Sequence, residues 1–147
     1  MKIELTKTKR LYPAIWEEGG AVTSSGDAKI ICGSNFEPLT PIYVKNHGHR
    51  ACGQHALFVA KKGMHIIYVR QKRRVVEEIK IFRIKEIVYE NDNFIAYCDV
   101  VNSYEEGEWD SPIEGNEALS NAINSAIDKA KCYHCRSPHY ALDPLTP

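Results

Sequence analysis

The stretch HGHRACGQH, residues 47 to 55, packs three histidines and a cysteine into nine positions. Within it Cys52 and His55 stand three residues apart. A second pair with the same spacing, Cys132 and Cys135, lies near the other end of the chain. Two soft or borderline ligands at this spacing can both turn onto one ion. Together Cys52, His55, Cys132 and Cys135 make a Cys3His set, a standard donor set for a closed, tetrahedral Zn2+ site. Gly53 lies inside the first turn, where a permissive backbone helps.

Other histidines compete for the fourth position. His47, His49 and His139 are alternative ligands, and His134 also lies within the second motif. Otherwise these side chains are exposed polar groups, or hydrogen-bond partners that orient a ligand. Two other uses of the cysteine pair fit less well. A redox pair is usually found at a helix N-terminus, where the dipole lowers the thiol pKa. Here the pair follows the end of a helical pattern. The zinc deaminases need H-x-E followed by P-C-x-x-C. No glutamate follows a histidine at that spacing, and Lys131 precedes Cys132.

Three functional classes follow. The first is a zinc-stabilised, non-catalytic binding module, in which four protein ligands close the site. The second is a zinc hydrolase, with His47, His49 and a cysteine or His139 as ligands and water at the open position. Glu17, Glu18 or Asp27 would then serve as general base, though no spacing singles one out. The third is an accessory subunit of a larger assembly, docking through the first 46 residues or the Pro-containing tail.

A partner surface is suggested by Arg70, Lys72, Arg73 and Arg74, four positive charges in five positions. Such a cluster attracts phosphate, so the expected partner is RNA or DNA, bound weakly and in a salt-sensitive way, or an acidic protein. The bland alternative is a solvated hairpin turn neutralised by Glu105, Glu106 and Glu108. Trp109 would stack on bases if it shared that end, or else serve as a core or lid residue.

The elements that position these residues are legible from periodicity. Segments 56–60, 64–70, 75–89 and 94–101 are rich in β-branched and aromatic residues. The gaps between them are short, which predicts an antiparallel β meander over 56–101, curled into a sheet or small barrel. In the third strand the apolar positions run Ile79, Ile81, Phe82, Ile84, Ile87, and a β-bulge near 81 and 82 would account for the change of phase. Residues 116–131 carry an apolar stripe at helical spacing, with Asn116 as N-cap and Glu117 in the first turn. Residues 1–46 read as irregular with short strands, including Ile3, the run at 28–32 and the segment after Pro41. Residues 132–147 form the zinc knuckle and tail. The expectation is an α+β fold in a single domain, 1–147, tied by zinc between the helix end and the start of the meander.

Composition narrows the classes. Lys+Arg and Asp+Glu balance at 19 each, which argues against a surface that coats nucleic acid throughout. No run approaches the roughly 18 apolar residues of a membrane helix, and no apolar segment follows the charges of MKIELTKTKR. The chain therefore reads as cytoplasmic, without a membrane partner. There the five cysteines are thiols or metal ligands rather than a disulfide framework. Cys32 and Cys98 are expected to be buried and dispensable for metal.

Overall fold

The computed structural model describes residues 2–4, 20–23, 29–40, 43–46, 54–73, 75–91, 93–109 and 115–131. They form antiparallel sheets and one helix, an α+β arrangement. The strands are β1 (Lys2–Glu4), β2 (Gly20–Thr23), β3 (Lys29–Cys32), β4 (Tyr43–Asn46), β5 (Gln54–Ala60), β6 (His65–Lys72), β7 (Val75–Glu90) and β8 (Asn93–Glu105), and the helix is α1 (Glu117–Lys131). One sheet has five strands in the order β1-β8-β7-β6-β3. The other has three, in the order β2-β5-β4.

The expected meander holds over its last three strands. β6, β7 and β8 pair in sequence, joined by hairpins in which Lys72 faces Val75 and Glu90 faces Asn93. Two-residue loops of this kind need left-handed backbone, and Arg73 (φ 52°) and Asn91 (φ 52°) supply it. The first strand of the expected meander behaves differently. β5 pairs with β2 and β4, not with β6. The linking turn around Gly63 (φ 92°) bonds instead to β7, through Gly63 N–H to Ile84 O and Ile84 N–H to Met64 O, both 2.9 Å. A short gap thus carries the chain from one sheet to the other rather than folding it back beside its neighbour. β3 takes the vacated place next to β6.

This exchange buries the five-stranded sheet on both faces. On one face Ile67, Val69, Ile79 and Ile81 pack under Leu119, Ile123 and Ala126 of α1. On the other, Ile66, Phe82, Ile84 and Ala96 pack with Phe58 and Ala60 of β5. The apolar run of β7 is explained by this two-sided burial: Ile79 and Ile81 face the helix, Phe82 and Ile84 the second sheet. The register does shift between Ile81 and Phe82, but the extra residue is Val101 on β8. The bulges on β7 itself are at Glu77 and Lys85. The first brings Val76 onto the helix face, and the second turns Ile87 toward the second sheet.

Helix α1 has the expected limits. Asn116 Oδ1 accepts the Leu119 N–H at 3.0 Å, the N-cap bond. No helix among the described residues is long and apolar enough to cross a membrane.

Candidate functional site

Three groups of side chains have defined chemistry: a basic hairpin at the last turn of α1, a latched turn and cavity at its first, and two buried thiols, one on each face of the five-stranded sheet.

The hairpin joins β6 to β7. Of its cations, Arg70 is committed to β7: Nη1 lies 2.8 Å from Glu77 Oε2 and Nε lies 3.6 Å from Glu78 Oε1. The expected neutralisation thus exists, but its carboxylates come from the facing strand rather than from Glu105, Glu106 and Glu108. Glu77 is the bulge residue, so the bulge contributes directly to the pairing. Lys72 and Arg73 are exposed at the tip. Gln71 points the other way. Its Nε2 donates to the Ala130 carbonyl in the last turn of α1, while its Oε1 is buried without a partner among the described residues. Ala130 O is one of the carbonyls that a helix leaves unpaired at its C-terminus. The side-chain amide therefore fastens the hairpin to the helix end.

At the other end, β3 runs into a tight turn. Gly33 N–H donates to Glu37 O at 2.9 Å and Phe36 N–H to Gly33 O at 3.1 Å. The Glu37 carboxylate accepts the Asn35 N–H at 2.8 Å. Phe36 adopts φ 60°, and its ring stacks on His65 with centroids 4.2 Å apart. His65 is buried, and its Nδ1 lies 3.0 Å from the Gly33 carbonyl, so Nδ1 carries the proton. The imidazole is a packed core group that latches the turn. Between this turn, β3 and the first half of α1 lies a cavity of about 390 Å³. Its walls are apolar, from Ile30, Phe36, Leu39 and Phe58 among others, and Glu37 and Glu117 are its charged residues.

Cys32 and Cys98 are both buried, as expected. The Cys32 thiol is pushed up to about 12, first by burial and then by the Glu37 charge. It lies 3.7 Å from the His65 carbonyl, to which it donates. Burial also raises Cys98. Burial thus favours the thiol form of both, which suits packing rather than nucleophilic attack.

The chain matches no family model, no curated protein and no solved structure. The site must therefore be read from its own residues.

Of the residues singled out in the sequence, Cys52, Cys132, Cys135, His47, His49, His134, His139 and Arg74 lie outside the described residues. So do the general-base candidates Glu17, Glu18 and Asp27. His55 lies on β5, its Cα paired with Lys45. Among the described residues no group of three or more His, Cys, Asp or Glu side chains is arranged to hold a metal. Trp109 is partly buried and packs against the helix-side core. The cavity and the Gln71 contact were not foreseen. Sequence offered one hint of each: the turn-forming GSNFEP directly after an apolar strand, and an uncharged glutamine among the hairpin cations.

Proposed function

We propose that the protein is a zinc-stabilised, non-catalytic binding module, with Cys52, His55, Cys132 and Cys135 as ligands of one Zn2+. The observation that supports it is the bond from Gln71 to Ala130. The last turn of α1 is held against the basic hairpin, and Cys132 follows α1 directly in sequence. A zinc at that motif would add a second tie to the same helix end, to the start of β5, which carries His55. The donor set of three thiolates and one imidazole suits zinc chemically, and Cys32 and Cys98 are buried in the two cores, apart from these motifs in sequence. The ion would act as a crosslink closing a loop of roughly 80 residues.

The hairpin gives the module a modest surface for an acidic partner. With Arg70 held by Glu77 and Glu78, Lys72 and Arg73 are the exposed cations of the hairpin among the described residues, and Arg74 would add a third. Neutralising three duplex phosphates gives a log K against log salt slope of about −3, the expected result if the partner is DNA. Fluorescent RNA and DNA titrated at low and moderate salt measure it, and a steeper slope would require cations from outside the hairpin.

The test of the zinc reading is the metal content of protein purified without chelator, with the ligand shell from X-ray absorption. One equivalent of zinc with sulfur and nitrogen neighbours is expected. Three protein ligands and a light oxygen would favour the hydrolase, and no zinc would end both readings.

A further inference from the structure

We propose that the free end of β8 is a dimerisation edge: two copies of the chain pair antiparallel through residues 99–104 and join their five-stranded sheets into one. The inference is independent of whether the cysteine motifs hold zinc.

The edge is open. β1 covers β8 at Ile95 to Tyr97, and beyond Tyr97 no strand among the described residues lies on that side. Asp99, Val100, Val101, Asn102 and Ser103 are all exposed. Successive strand side chains point to opposite faces, so this run stands clear of the rest of the chain on both faces. Val100 and Val101, 55% and 48% exposed, are two of the three large apolar side chains that the described residues leave in solvent. The Ser103 N–H donates to Asn102 Oδ1 at 3.2 Å, a local substitute for a neighbouring strand. An uncovered edge with apolar side chains is a template for another strand.

The register singles out a second copy as that strand. Directly opposed residues of neighbouring strands share a face. Val100 lies opposite Phe82, on the face turned to the second sheet, and Ser103 lies opposite Lys80, which is on the same face because Ile79 and Ile81 take the helix side. Asp99 and Tyr104, opposite Arg83 and Ile79, are on the helix side. In a regular strand residues three or five apart fall on opposite faces. The extra residue, Val101, brings 100 with 103, and 99 with 104, onto one face each. A two-fold axis normal to the sheet then sets Val100 against Ser103 of the second copy and Asp99 against Tyr104 of the second copy, with Val101 and Asn102 at the centre and every face matched. A bulge ordinarily protects an edge because a regular strand does not follow its change of phase. A second copy carries the same change at the same place, and the mismatch cancels.

Charge sets the direction. The turn after β8 carries Glu105, Glu106 and Glu108, all exposed. Parallel pairing would lay two acidic turns side by side. Antiparallel pairing brings Glu105 to the start of β1 of the second copy, where Lys2 stands opposite Tyr97. The Lys2 side chain is 64% exposed and 4.0 Å from Glu90, so it can turn to a second carboxylate. Asp99, within the paired stretch, is already balanced by Lys85 at 3.4 Å.

Sedimentation velocity of the full chain, from micromolar to millimolar, should show a reversible monomer–dimer equilibrium, a weak one because a single strand pair is a small interface. Val101→Lys, at an exposed position, should abolish the dimer while circular dichroism stays unchanged. Lys2→Glu and Glu105→Lys should each weaken it about threefold, and the two together in one chain should restore it. Dibromobimane, which joins thiols at close range, reads the register. A covalent dimer above the wild-type background should form when Val100→Cys and Ser103→Cys chains are mixed, and with neither alone. A monomer at millimolar concentration, or a dimer indifferent to Val101→Lys, would overturn the edge. Val100→Cys joining to itself as readily as to Ser103→Cys would overturn the register, and no recovery in the charge-exchanged variant would overturn the antiparallel contact with Lys2.

Discussion

The two ends of α1 are built for opposite purposes. At the first turn the helix faces a cavity, with the carboxylates of Glu37 and Glu117 at its margin. At the last turn it is bound to a hairpin carrying Lys72 and Arg73. A helix presents partial positive charge at its start and partial negative charge at its end. Each end is therefore met by the sign that stabilises it. A chain with zero net charge thus carries a charge gradient along one element. One end is open and the other is fastened.

The comparison is broken most severely at the fastened end. If zinc crosslinks it, Cys132→Ser should remove the metal and cost about 4 kcal/mol, the value for a crosslink across a long loop. That corresponds to a fall in melting temperature of roughly 10 °C for a chain of this size. Unchanged zinc stoichiometry and melting temperature would show that the anchorage is the hydrogen bond alone.

The open end should respond to alkali. Burial, and then the Glu37 charge, push the folded Cys32 thiol up to about 12, above its ordinary value of 9.0. The native state therefore holds its proton where the unfolded chain has lost it. Its contribution is intact below pH 9 and declines as pH rises through that window toward 12. Cys32→Ala should flatten this part of the curve, measured as denaturation midpoint against pH. A parallel curve for the variant would assign the loss to other groups.

Smaller effects separate the two ends further. Gln71→Glu replaces the donor to Ala130 O with a carboxylate that opposes the helix dipole, and should cost about 2 kcal/mol. Gln71→Leu should cost less, because it also removes the Oε1 left partnerless among the described residues. Equal losses in urea titrations would mean that the contact is only packing. At the first turn Asn116→Ala removes the bond to Leu119 N–H and should cost about 1 kcal/mol. A loss well above that would show that the cap also supports the cavity.

These features were unequally legible in the sequence. Local signals gave the elements: the stripe from Ala118 to Ala130 gave the helix, and β-branched runs separated by short polar gaps gave β6, β7 and β8. The partner of β5 was not local. The gap at residues 61–63 has the same length whether the chain turns back or crosses between sheets, and only the burial of both faces decides. The mixed phase of β7 contained that information, since Ile81 and Phe82 are adjacent and both buried. The cavity was invisible for a related reason. Ile31, Phe58 and Asn121 are far apart in the chain, and none carries a mark of the space between them.

The central position of β7 has a consequence in time. β7 is flanked by β6 and β8 through two tight hairpins, whereas β1 and β3 join the sheet from distant parts of the chain. Short loops close early and long ones late. The three-stranded centre should therefore assemble first, with the outer strands settling onto it afterwards. In native-state hydrogen exchange the amides of Ile79 to Ile84 should open only with global unfolding, and those of Ile30 and Ile31 in a cheaper, earlier event. The edge of the sheet that borders the cavity would then be the part that loosens first.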